Sequence, residues 1–137
     1  MMSTMGDRKR KAHMRQKFAD DLDQIPGYQL PFWKATHEKA KEICADDCTK
    51  NRAITLLLDI ARDLLERYRS GEVHLKDLHF LTECFNVAMF IYGDDLYDIL
   101  DQELWGITEI FDHDDRVDYM ESELANVERL WKQHQTQ

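Results

Sequence analysis

Glycine and proline are scarce, five and two residues in 137, so little in the chain interrupts a regular backbone. No segment alternates apolar with polar residues as a half-buried strand does. No apolar span approaches the roughly 18 residues needed to cross a bilayer. The N-terminus is basic but lacks the apolar stretch of a secretory leader, so the cytoplasm is the expected location and no membrane partner is expected. Cys44, Cys48 and Cys84 form an odd set, which favours free thiols over a disulfide framework. The glycines Gly6, Gly27, Gly71, Gly93 and Gly106 are isolated, leaving no phosphate-cradling loop. Only Ser3, Ser70 and Ser122 are present, none in a Gly-x-Ser-x-Gly elbow.

The most informative scarcity is that of positive charge in one stretch. Between Asp77 and Glu128 there are fifteen carboxylates and a single base, Arg116, whereas the first seventeen residues carry six bases and one acid. The acidic stretch is still rich in Leu, Ile, Phe, Tyr and Trp, which describes a folded acidic surface better than a disordered tail. Across the chain 43% of residues are hydrophobic and 33% charged. That composition suits one globular domain with one core, burying about two-thirds of its unfolded surface.

What is abundant is helical periodicity. Apolar residues recur at spacings of three and four, and the expected fold is an all-α bundle of about six mostly antiparallel helices. Residues 1–11 read as a basic, mobile arm and residues 12–137 as a single helical domain. Met14, Phe18, Leu22 and Ile25 form a first stripe, stopped by Pro26 and Gly27. Pro31 opens a second helix, with Phe32, Trp33, Ala40, Ile43 and Cys44 inward. The strongest stripe, Ile54, Leu57, Leu58, Ala61, Leu64, Leu65 and Tyr68, predicts a central helix ended by Ser70 and Gly71. A fourth helix is expected from about Leu75 to Tyr92, with Gly93 as a left-handed cap. A fifth would bury Leu96, Ile99, Leu100, Leu104, Ile107 and Phe111, and a last one Val117, Met120, Leu124, Val127, Trp131 and His134. That final seam is too short for an independent coiled coil and would pack on the bundle or on a second copy, making a homodimer.

The carboxylates cluster as Asp94, Asp95, Asp98, Asp101 and Glu103, then around Asp112, Asp114 and Asp115. On a helix Asp94, Asp98 and Asp101 share one side, where like charges repel by a few tenths of a kcal/mol per pair. Solubility alone would account for an acidic surface. A same-sign field with aromatic anchors also suits attraction of a basic macromolecule, because carboxylates can stand in for phosphates and steer encounter. The expected partner-binding residues are therefore Asp94, Asp95, Tyr97, Asp98, Asp101, Glu103, Trp105, Asp112, Asp114 and Asp115. Tyr92 and Tyr119 are further aromatics among the acids. The expected function is a non-enzymatic binding protein that neutralises or regulates a basic partner, such as a nuclease toxin or a nucleic-acid-binding protein, with no cofactor and no catalytic residues. The run Asp77-Leu78-His79, then Tyr92-Gly93-Asp94-Asp95-Leu96 and Asp101, resembles the helix-loop-helix region of barstar-type ribonuclease inhibitors. That resemblance implies, as an analogy of mechanism, acidic residues after a Tyr-Gly turn plugging a nuclease site.

Two other classes remain open at this level. One is a small helical metal-dependent or RNA-cleaving enzyme using His79, Glu83 and His74; the other is a structural adaptor. His79 and Glu83 are four apart and could reach one ion, and Asp112-His113-Asp114-Asp115 could add ligands, but the Glu-x-x-His pattern of di-iron bundles is absent. Cys44 and Cys48 would share a face if one helix covered both, yet two ligands do not make a tetrahedral site. Arg69 and His74 give an Arg-x4-His pattern similar to that of helical nucleases of the HEPN type. The same spacing recurs from Arg8 to His13 and from Arg129 to His134, and a net charge of -9 opposes tight phosphate binding. Direct nucleic-acid contact is expected only from the basic arm, Arg8-Lys9-Arg10-Lys11 with Arg15 and Lys17.

Overall fold

Proline at position 31 supplies a helix start whose missing N–H costs nothing in a first turn, and the chain uses it so. The computed structural model describes residues 4–25 and 30–93, together with Ala125, Glu128, Arg129, Lys132 and Gln133. Its elements are α1 (Thr4–Leu22), α2 (Pro31–Ile43), α3 (Lys50–Arg69), a 3-10 turn (Leu75–Leu78) and α4 (His79–Tyr92). Among the described residues every regular element is helical, in agreement with the all-α expectation. The expected fifth helix, and all of the last helix but five helical positions, lie outside the described residues. No described helix is long and apolar enough to cross a membrane.

Each boundary has a local cause. The Thr49 hydroxyl accepts the Arg52 N–H at 3.1 Å and starts α3. At its end the Glu72 N–H reaches the Arg67 carbonyl at 2.8 Å and the Gly71 N–H the Tyr68 carbonyl at 3.1 Å. These are the paired bonds of a Schellman cap. Asp77 explains why the fourth helical segment begins as a 3-10 turn. Its carboxylate accepts the His74 N–H at 2.7 Å while its own N–H donates to the His74 carbonyl at 2.9 Å, which tightens the entry to α4. Gly93 has φ +90° and ψ -170°. That is not the expected left-handed cap but the extended mirror region that side-chain-bearing residues avoid. α1 begins at Thr4, so Arg8 to Lys11 are helical and not N-terminal to the helix as the apolar stripe alone suggests.

The core sits around α3, whose Ala53, Ile54, Leu56, Leu57, Leu58, Ile60, Ala61, Leu64 and Leu65 are buried. Leu56 and Ile60 fall outside the expected stripe, so well over one face of this helix is covered; α2 packs on it from one side and α4 from another. Each fully buried leucine contributes about 1.5–3 kcal/mol. Phe80 joins the other three helices: its ring lies 5.7 Å from that of Phe18 on α1 and edge-on to Trp33 on α2 at 5.8 Å. Tyr92 closes the bundle, donating its hydroxyl to the Ile43 carbonyl at 2.7 Å, with the Cys48 carbonyl 3.1 Å away. Burial and the neighbouring Cys48 raise the Tyr92 phenol far above its ordinary value. Of the aromatics interleaved with acids in sequence, this one therefore serves as a strut.

Candidate functional site

Among the described residues many charged side chains pair with each other. Arg52 forks onto Glu42 at 2.7 and 3.2 Å and holds that carboxylate below its usual range. Arg67 spans Asp63 at 3.0 Å and Glu72 at 2.9 Å while its guanidinium lies 4.0 Å from the centre of the Phe32 ring. Part of the basic stretch of α1 reaches the end of α2. There Lys11 donates to the Ala45 carbonyl at 3.3 Å, next to the negative dipole end of that helix, and Arg8 lies 3.9 Å from Asp46. Lys11 and Arg10 also stand over the rings of Tyr92 and Phe90.

The sequence-predicted acidic site, Asp94, Asp95, Tyr97, Asp98, Asp101, Glu103, Trp105, Asp112, Asp114 and Asp115, lies outside the described residues. One carboxylate of the acidic stretch is placed beyond Gly93: Glu128 accepts from Arg62 of α3 at 2.5 Å. This ion pair joins Glu128 to the central helix.

Two residues of the enzymatic alternative, His79 and Glu83, fall at a cleft of about 270 Å³ between the end of α1 and the start of α4, lined also by Asp21, Gln24, Ile25, Asp77 and Phe80. His79 Nε2 is 3.4 Å from Glu83 Oε1, as their helical spacing requires. The other Glu83 oxygen receives the Lys17 ammonium, which also lies 3.5 Å from Asp21. The Glu83 hydrogen bond is the main reason that Lys17 holds its proton more tightly than usual. His74 does not join the pair; its side chain is exposed and its backbone N–H serves Asp77. Among the described residues no three His, Cys, Asp or Glu side chains converge as a metal set.

The role of Asp77 was not legible as part of a site. Its residue is 2% exposed, Oδ2 is used by His74, and Oδ1 is buried without a hydrogen-bond partner. Leaving such an acceptor unmade costs about 1–3 kcal/mol. The signal for its capping role was present, an Asp three residues after the helix entry at His74. Its place beside Asp21 at one cleft was not, because Asp21 comes from α1, more than fifty positions away in the chain.

The thiols follow their burial. Cys44 is the cap residue after α2 and Cys48 lies in the loop before α3, so no single helix covers both and the shared face required for a metal pair does not form. Burial pushes the Cys44 thiol up to about 12 and raises Cys84 as well, with Cys48 also raised. All three are free and poorly reactive at neutral pH.

Comparison with models of known protein families, with curated proteins and with solved structures finds no match in any of the three. The functional reading therefore rests on residues and charge.

Proposed function

We propose that the protein is a non-enzymatic binding protein that neutralises or regulates a basic macromolecule, as an immunity-type inhibitor of a nuclease toxin or a mimic of nucleic acid does. The observation that carries this reading is the partition of charge. Residues 1–93 hold fifteen bases and fourteen acids, whereas residues 94–137 hold three bases and thirteen acids. The whole net charge of -9 thus originates beyond Gly93, while the described helices balance their charges internally. In this reading a fifth and a sixth helix complete the bundle. Asp94, Asp95, Asp98, Asp101 and Glu103, with Asp112, Asp114 and Asp115, supply the field, and Tyr97 and Trp105 anchor the partner.

Association with a basic nuclease or nucleic-acid-binding protein is expected to slow steeply as salt rises, because screening shortens the range of attraction. A rate independent of salt overturns charge steering. The enzymatic alternative gains only the His79–Glu83 proximity, and there one Glu83 oxygen already serves Lys17.

A further inference from the structure

We propose, resting on the reading of the chain as a binder of basic macromolecules, that the first half of α1 is an autoinhibitory strap whose cations occupy the places that a basic segment of the partner takes. Three bases of this stretch sit on acceptors from distant parts of the chain. Arg10 lies over the Phe90 ring, 5.2 Å from its centre, and Lys11 stands 5.7 Å from the centre of the Tyr92 ring. The same Lys11 ammonium is 3.3 Å from the Ala45 carbonyl and 3.5 Å from that of Asp46, and Arg8 lies 3.9 Å from the Asp46 carboxylate. Two aromatic faces, two carbonyls and a carboxylate thus accept cations, and the chain's own guanidinium and ammonium groups fill them. These acceptors stay within reach of solvent, since Phe90 is 55% exposed and Asp46 is exposed. From Arg8 to His13 the only apolar side chain, Ala12, is exposed, whereas Met14, Phe18 and Leu22 pack the rest of α1 on the core. Exposed charge contacts are individually weak, so an arginine-rich segment displaces the strap without unfolding the helix beyond Met14. Phe90 and Tyr92 shortly precede the acids from Asp94 onward in sequence, and a basic segment drawn to those acids is brought to the strap.

The test uses the full chain and nona-arginine with blocked ends. Hydrogen exchange at the amides of residues 8–13 is expected to speed up as the peptide binds, while residues 16–22 keep their protection; this readout needs no variant. Arg10→Ala with Lys11→Ala should tighten peptide binding by about five-fold, read as Kd by calorimetry, because the internal competitors are gone. Lys34→Ala with Lys39→Ala removes the same charge from α2 and should change Kd by less than about two-fold. Equal gains in the two double variants, or exchange at residues 8–13 that the bound peptide leaves unchanged, overturn the strap and leave the charge reading standing. A gain in Arg10→Ala with Lys11→Ala that persists at full size when Asp98→Lys and Asp101→Lys are added upholds the strap and moves the charge reading to another surface. Absence of peptide binding in every chain overturns both.

Discussion

Residues 1–93 and 94–137 differ little in apolar content, with 42 of 93 and 17 of 44 hydrophobic residues, yet their charge balances are +1 and -10. The two parts are therefore alike in apolar composition and differ in charge. In the first part acids and bases alternate and lock into pairs such as Arg52–Glu42, Arg67–Asp63 and Arg69–Glu66. Exposed pairs of this kind contribute about 0–1 kcal/mol each, so their main consequence is a field that cancels. In the second part thirteen acids face three bases in sequence, and the proposed attraction of a basic partner rests on that excess.

The comparison can be broken most forcefully from the core. Leu57, fully buried on α3, should cost about 2–5 kcal/mol when cut to Ala, read as a lower midpoint in urea denaturation. A smaller loss would mean that α3 is not the shared support of the bundle. Gly93 stands at the junction of the two parts. There is open space where a Cβ would lie, so the cost of Gly93→Ala comes from its positive φ alone. It should amount to about 1–3 kcal/mol in the same assay. A neutral result would show that the junction relaxes freely. Reversing Asp98 and Asp101 to Lys should slow association with a basic partner by about ten-fold at low salt while leaving helical circular dichroism unchanged. An unchanged rate would place the reading surface elsewhere.

The smallest effect concerns pH and belongs to the balanced part. Burial, and then the nearby Lys41, lower the His37 pKa from its ordinary 6.5, and its Nε2 is buried without a partner. The unfolded chain therefore binds this proton more readily than the folded one. Stability from His37 is complete above pH 6.5 and is lost as pH falls toward the lower folded value. His37→Gln should flatten the slope of melting temperature against pH just below 6.5, whereas an identical slope in variant and parent would assign it to other groups. Glu42, held low by Arg52, loses its contribution in a more acidic window.

Much of the helical architecture was legible because its signals are local. Pro31, the three-and-four spacing from Ile54 to Leu65 and the Ser70-Gly71 stop each act within a few residues, and α2 and α3 formed accordingly. The start of α1 was not legible because Arg8 to Lys11 carry no apolar stripe; two of them find their partners on the α2–α3 loop, over thirty positions away. The cleft was illegible for the same reason. His79 and Glu83 could be paired by counting along one helix, but Asp21 comes to the same cleft as Asp77, and Lys17 to Glu83, only when α1 lies against α4.

Composition and periodicity by themselves determined that the chain is helical and that its excess negative charge falls beyond Gly93, since both are properties of residue order. Tertiary structure alone decided that Tyr92 is a strut and that Asp77 keeps a buried oxygen without a donor. Burial and hydrogen-bond partnership depend on which distant segments arrive at the same place, and no local pattern encodes that arrival.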